Sequence, residues 1–321
     1  MNNYNQNIKK MIISCVEPLG ISKERFEQLK KKYSDKGHAF NYFLDRNESQ
    51  DTLIERMHDA DVVVVSNIKL PREVLEKCTK LKYLSVAFTG LDHIDLDYCR
   101  EHGIEVQNAA GYSTTAVSEL AVGMMIDLLR QVTCMDGVIR EGKGRGLFLG
   151  RELKGKTVGI VGTGAIGTAT IRLLLAFGCK VIAYSRSRHK DIEEMGIKYV
   201  SLEELMKECD IVSLHVPMNN ETRGLVGKEQ LNMMKPTALL VNTARGLVCD
   251  IQAVAEALKE GTIAGAAFDV FEQEPPLPLS HCLLDAPNCL LTPHIAFATE
   301  ESFAARADIV FGHIDQWLSG K

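Results

Sequence analysis

Three ionisable residues in the second half of the chain are of the types needed to handle an anionic carbonyl compound. Arg245 lies in Asn242-Thr243-Ala244-Arg245-Gly246, Glu274 in Phe271-Glu272-Gln273-Glu274-Pro275-Pro276, and His294 in Leu291-Thr292-Pro293-His294-Ile295. Each follows an apolar run with strand character, and open α/β sheets place their ligands at the carboxyl ends of such strands. Reducing a 2-oxo acid by hydride needs a cation on the carboxylate, an acid to protonate the new alkoxide, and a group that keeps that acid oriented and charged. Arg245 can fork onto the carboxylate and polarise the ketone, because its planar donors match two oxygens. His294 as imidazolium can donate the proton, with Glu274 fixing the ring and favouring its charge. Taken singly, each residue also fits a plainer role: a capping Arg, a solvated Glu before Pro-Pro, a packed or exposed His.

Upstream stands Gly162-Thr163-Gly164-Ala165-Ile166-Gly167, directly after the apolar run Thr157–Val161 and before the helical pattern Thr168–Phe177. A dinucleotide pyrophosphate needs a tight turn, a backbone bare enough for close approach, and helix N–H groups aimed at the phosphates. In a chain with 25 glycines among 321 residues the bare pattern is weak, and the strand before it and the helix after it give it weight. At the end of the next strand, where an Asp or Glu would bond the NAD ribose, stands Ser185, followed by Arg186 and Arg188 with no carboxylate before Asp191. Guanidinium groups there suit a 2′-phosphate, so NADP is favoured over NAD; the alternative is a solvated basic loop.

The elements that must position these groups alternate almost from end to end, the mark of strand–helix–strand units around parallel sheets. In the first half, Met11–Cys15, Asp61–Val65 and Leu81–Ala87 read as buried strands, with helices at Lys23–Lys32, Asp51–Asp59 and Arg72–Cys78. A helix at Thr115–Arg130, with Ser113 and Thr114 as cap candidates, is too apolar over Ala121–Leu129 to lie free in water. After a Gly-rich passage, Glu141–Gly150, the pattern restarts with strands at Thr157–Val161, Lys180–Tyr184, Ile211–Val216, Ala238–Asn242, Ile263–Phe268 and Leu290–Leu291. The last helix, Thr299–Leu318, should return to the first sheet, anchored by Trp317.

Together these segments resemble the D-isomer-specific 2-hydroxyacid dehydrogenase family. The match is carried by Leu153–Val161, the glycine turn, Leu214-His215-Val216-Pro217, Met234-Lys235-Pro236, Asn242–Gly246, Asp269–Pro275 and Thr292-Pro293-His294. The resemblance implies an NAD(P)-dependent oxidoreductase with Arg245, Glu274 and His294 as the catalytic trio. It implies two doubly wound α/β domains: a smaller flavodoxin-like substrate domain from 1–107 and the returning 296–321, and a larger Rossmann dinucleotide-binding domain over 108–295. Cofactor contacts are expected at Gly162, Gly164, Ala165, Ile166, Gly167, Ser185, Arg186, His215, Val216, Pro217, Thr243, Ala244 and Asp269, the last toward the nicotinamide carboxamide. The resemblance also implies a homodimer paired through the region of Thr115–Arg130.

Two positions depart from the family. The loop whose backbone N–H groups bind the substrate carboxylate usually reads Gly-x-Gly, and here it is Phe88-Thr89-Gly90; a small residue after the catalytic His is replaced by Phe297. Either the two rings meet at the mouth of the cleft and shape the pocket, or each turns into its own domain. Thr89 and Gly90 still offer backbone donors, so the departure touches substrate identity and leaves the reaction type intact.

Composition narrows the rest. Thirty-seven basic against 42 acidic residues, a net charge of −5, leave no global basic field for nucleic acid or an anionic membrane. No stretch approaches the roughly 20 apolar residues of a membrane span, and the Asn-rich start, Met1–Lys10, lacks the apolar core of an export signal. Nine cysteines, scattered and never in C-x-x-C, read as reduced thiols in a cytoplasm, and no His or Cys cluster has metal-ligand spacing. Lys30–Lys32 reads as a solvated helix end, Met233-Met234 as core, and His215 as a strand-end residue near the cofactor. The expectation is a cytoplasmic reductase of a small 2-oxo acid, with glyoxylate or hydroxypyruvate first; a cofactor-sensing binding protein of the corepressor type is the alternative.

Overall fold

The structure, a computed structural model, describes residues 10–320; the reading of the Asn-rich start falls outside the described residues, except for Lys10. The chain divides into two compact units. One runs up to Tyr112 and resumes at Thr299; the other is Ser113–Ala298, so the divisions fall a few residues beyond the boundaries set out above.

The first unit holds a five-stranded parallel sheet: β1 Ile12–Cys15, β2 Ala39–Tyr42, β3 Val62–Val65, β4 Tyr83–Val86 and β5 Glu105–Asn108, in spatial order β2-β1-β3-β4-β5. This is the flavodoxin-like order, with its switch point between β1 and β3. β3 is four valines, all fully buried, because a central parallel strand is covered on both faces. β2 and β5 were not expected. Both are edge strands, and β5 alternates exposed and half-buried residues, so neither carries a continuous apolar run. The helix Glu300–Ser319 packs on this sheet; Trp317 stacks on Tyr83 at 5.1 Å between centroids and its indole N–H donates to Glu105 Oε1 at 2.9 Å.

The second unit holds β6 Thr157–Val161, β7 Lys180–Tyr184, β8 Lys198–Tyr199, β9 Ile211–Leu214, β10 Leu239–Asn242, β11 Gly265–Phe268 and β12 Cys289–Leu291, all parallel, in order β12-β11-β10-β9-β6-β7-β8. Read from β8, this is the doubly wound Rossmann order with one added strand, and its switch point lies between β6 and β9. β8, a two-residue edge, was missed, and β9 ends at Leu214 rather than Val216 because His215-Val216-Pro217 leaves the ladder toward a proline. The long helix begins at Thr114, and Ser113 makes no side-chain cap: at φ −108° and ψ 10° it lacks the extended geometry in which a serine hydroxyl caps. Gln131, in the left-handed region, ends that helix and begins another, Val132–Arg140, which buries no residue and was not expected.

Register aligns the sheet's carboxyl edge. Val161 pairs with Tyr184 and Leu214, Asn242 with Leu214 and Phe268, and Phe268 with Leu291. The residues that follow, Ser185, Gly162, His215, Thr243, Asp269 and Thr292, therefore stand in one row. Among the described residues no helix is long and apolar enough to cross a membrane.

Candidate active site

The glycine turn opens at the switch point. Gly162 has φ +98°, and a side chain there would meet His215 O at 2.7 Å; one on Gly167 would meet Gly162 O at 2.0 Å. Both positions require glycine, the first for conformation and contact, the second because the helix starts directly over the strand's end. Around Gly164, the N-cap, nothing lies within 4 Å of where a Cβ would stand, so one side of the turn is open. The helix runs Ala165–Ala176, three residues earlier than its apolar pattern indicates, which puts the amides of Ala165, Ile166 and Gly167 in its first turn. Two buried polar atoms on the same row have no hydrogen-bond partner, His215 Nδ1, whose backbone abuts Gly162, and Thr243 Oγ1, two strands away. Burial pulls the His215 imidazole down to about 4, so it stands neutral, with Nε2 2.9 Å from Ser213 Oγ. An open glycine turn with orphaned polar atoms on its row fits a dinucleotide.

Beyond β7, Ser185 is followed by an exposed Arg186, whose Nη1 donates to Glu221 Oε2 at 3.1 Å, while the Arg188 guanidinium lies 5.8 Å from the Tyr199 ring centre.

On the other side of the row, the turn after β10 is built by Asn242, which is fully buried. Its Nδ2 donates to Arg245 O at 2.9 Å and its Oδ1 accepts from Ala244 N at 3.0 Å. Arg245 Nη1 donates to Ala244 O at 2.9 Å. Gly246 has no room for a side chain, since a Cβ would lie 2.0 Å from the Phe271 carbonyl carbon; this contact seats the Arg245 turn on the segment that leads to Glu274.

Glu274 and His294 are brought together: His294 Nδ1 lies 2.8 Å from Glu274 Oε2 and 3.0 Å from Oε1. The Glu274 side chain is 56% exposed and that of His294 only 10%, so the ring is enclosed while its carboxylate partner is wet. His294 has φ +57°, a rare conformation for a residue with a Cβ, and the Phe297 ring meets the imidazole edge-on at 5.2 Å. That backbone shape is held by Asp269, which is fully buried: its Oδ1 accepts from Thr292 Oγ1 at 2.6 Å and Ile295 N at 2.8 Å, its Oδ2 from Ala296 N at 2.9 Å. Burial pushes the Asp269 carboxyl up, and these donors and the neighbouring His294 pull it back. The family resemblance implies a cofactor contact at Asp269; its anchoring of the His294 loop is not legible in the sequence, because the donors lie more than twenty residues away along the chain. A second His–Glu pair, His281 Nε2 at 3.2 Å from Glu272 Oε2, occupies the same loop and was also unforeseen.

Phe88, Thr89 and Gly90 belong to the other unit. Phe88 follows β4, is buried, and meets His93 edge-on at 6.2 Å.

The chain as a whole is similar to known proteins. The model of the D-isomer specific 2-hydroxyacid dehydrogenase, NAD binding domain, matches residues 122–296. The glyoxylate reductase of Thermococcus litoralis is 39% identical over 279 residues, 84% of each chain. The hydroxypyruvate reductase of Blautia hydrogenotrophica is 35% identical over 84% of this chain and 85% of its own. A solved acyclic imino acid reductase in complex with NADPH and D-Arg superposes with a TM-score of 0.86 at 29% identity, covering 97% of this chain and 98% of that one. The chain belongs to the D-isomer-specific 2-hydroxyacid dehydrogenase family. It is an oxidoreductase of 2-hydroxy acids with a nicotinamide cofactor.

Proposed function

We propose that the protein reduces a small 2-oxo acid, glyoxylate or hydroxypyruvate, to the D-2-hydroxy acid, with NADPH preferred over NADH. The observation that carries this reading is the His294–Glu274 pair, held by Asp269 on the same strand-end row as the glycine turn. The bound cofactor supplies the hydride. Arg245 is a cation for the substrate carboxylate, and Phe297, against His294, bears on which acids fit; in the first unit the amides of Thr89 and Gly90, beside Phe88, are donors to a carboxylate. Glu274 occupies His294 Nδ1, so Nε2 delivers the proton to the alkoxide. Val216, Pro217, Thr243 and Ala244 would hold the cofactor, with Asp269 toward the nicotinamide carboxamide. Support for NADPH comes from Ser185, Arg186 and Arg188 in place of a ribose-binding carboxylate, and from the NADPH bound by the imino acid reductase.

The deciding experiment is the initial rate of reduced-cofactor oxidation over a panel of 2-oxo acids, from glyoxylate to branched chains, with NADPH and NADH in parallel. The reading expects the highest kcat/KM with a two- or three-carbon acid and NADPH. A clear NADH preference removes the cofactor assignment. Tight cofactor binding without turnover of any acid removes the reductase and leaves a cofactor-sensing role.

We further propose a cytoplasmic homodimer. Val132–Arg140 buries nothing, a groove lined by Ile126, Val132, Met135, Phe148 and Leu149 together with Arg130 and Arg145 adjoins the end of the helix Thr114–Arg130, and Leu147 is 99% exposed. A second copy covering this face accounts for that apolar surface. Sedimentation velocity at micromolar concentration should show a dimer, and a monomer would end the proposal.

A further inference from the structure

In the first unit, the carboxyl ends of β1, β3 and β4 meet on one buried guanidinium. Arg306, 3% exposed, projects from the helix Glu300–Ser319; its Nη2 donates to Leu19 O at 2.8 Å, and its Nη1 to Ser66 Oγ at 3.2 Å and to Ala87 O at 3.3 Å. The charge lies 4.3 Å from the Phe303 ring centre and 5.6 Å from that of Tyr112. Glu17, also buried, accepts from Ser66 N at 2.6 Å on the same strand ends. A guanidinium has donors fixed in a fork that spans three acceptors, where an ammonium is a single point. Burying it costs several kcal/mol in principle, so its retention calls for a reason beyond packing.

That reason lies in the next residues. Ala87 immediately precedes Phe88-Thr89-Gly90. Ala87 O accepts from Arg306 and from Ser66 Oγ, Phe88 O from Ala109 N at 3.0 Å, and Thr89 O from Asn108 Nδ2 at 2.6 Å. A planar trans peptide points its N–H opposite to its carbonyl, so fixing these three carbonyls aims the amides of Phe88, Thr89 and Gly90. Arg306 holds the first peptide of that array.

We propose that Arg306 is a positioning residue for substrate binding: it anchors the start of the Phe88–Gly90 loop so that the loop's amides converge on the substrate carboxylate. This rests on the reading of that loop under the proposed function. A carboxylate bound equally in ground and transition states sets KM and leaves kcat alone.

The test compares wild type, Arg306→Met and Arg306→Lys, in the full-length enzyme. Arg306→Met should raise KM for the preferred 2-oxo acid about tenfold, with kcat within about threefold and cofactor Kd unchanged, and Arg306→Lys should recover part of the loss. Amide exchange of the peptide spanning residues 86–92 should quicken in Arg306→Met, whether or not a substrate has been identified. Unchanged KM and unchanged exchange in a folded variant would overturn the proposal, as would an equal fall of kcat and cofactor affinity. If Arg306→Met does not fold, Arg306→Lys decides by the same two readouts. If wild type turns over none of the acids, the proposed reaction fails and the exchange measurement still decides the anchoring.

Discussion

The carboxyl ends of the two sheets are built to opposite designs from the same parallel strands. In the second unit the row after β6, β9 and β10 is left open: a glycine turn bare on one side, His215 Nδ1 and Thr243 Oγ1 buried without partners, and Glu274 turned to solvent beside His294. In the first unit the ends of β1, β3 and β4 are filled by their own charges, Glu17 and Arg306, each bonded to strand-end backbone or side-chain groups, although Ser85 Oγ and Arg306 Nε are also buried without partners. Unsatisfied buried polar groups cost free energy unless a ligand completes them. What separates the two rows is the bare glycine turn on one and the buried Glu17 and Arg306 on the other, so the first has room for a molecule and the second holds a loop in shape, and strand-end geometry alone does not distinguish them.

The largest effect expected from this contrast is at the open row. His294→Ala should lower kcat about a thousandfold while cofactor Kd stays within a fewfold of wild type, measured by stopped-flow turnover and fluorescence titration. Near-normal turnover would take His294 out of the proton-donor role. At the filled row the loss should be of stability instead. Glu17→Ala leaves the amides of Ser66 and Ile68 and two arginines without their carboxylate, a change worth about 3 kcal/mol in denaturant titration. Cofactor affinity should not move with it; a parallel fall would mean that the two rows are not separable. Gly167→Ala should do the reverse, sparing the first unit and forcing the backbone against Gly162 O at a cost of about 2 kcal/mol, read as roughly thirtyfold weaker dinucleotide binding.

The open row was the more legible in sequence. Its strands are continuous apolar runs, and its chemistry sits one to six residues past their ends, so Gly162, Arg245, Glu274 and His294 could be placed by counting. What escaped was set by non-local contacts. Nothing in Thr292-Pro293-His294 marks a left-handed backbone, which depends on Asp269 from another strand, and Asn242 reads as the last apolar-strand residue rather than the clamp of the Arg245 turn. The filled row was almost invisible. Glu17 and Arg306 lie at opposite ends of the chain and in patterns that read as surface charge, and the edge strands β2 and β5 that flank their sheet lack the apolar runs by which a buried strand is recognised.

The smallest expected effect concerns pH, and the two rows carry opposite signs. Burial lowers His215 from 6.5 to about 4, so the unfolded chain binds a proton there more readily than the folded one. Stability from this group is full above pH 6.5 and is lost as pH falls toward 4. Burial raises Glu17 above its ordinary 4.5, so its contribution is full below that value and is lost as pH rises through the shifted one. Since the two oppose, the wild-type curve alone shows only their sum. The difference between wild type and His215→Asn isolates the first: wild type should lose about 1 kcal/mol more than the variant between pH 6.5 and about 5.5, by urea titration of the cofactor-free protein. Saturating cofactor should shrink that difference if the dinucleotide is what completes the His215 ring. A difference that is the same with and without cofactor would place His215 in the core and leave the open row to Thr243 and the glycine turn.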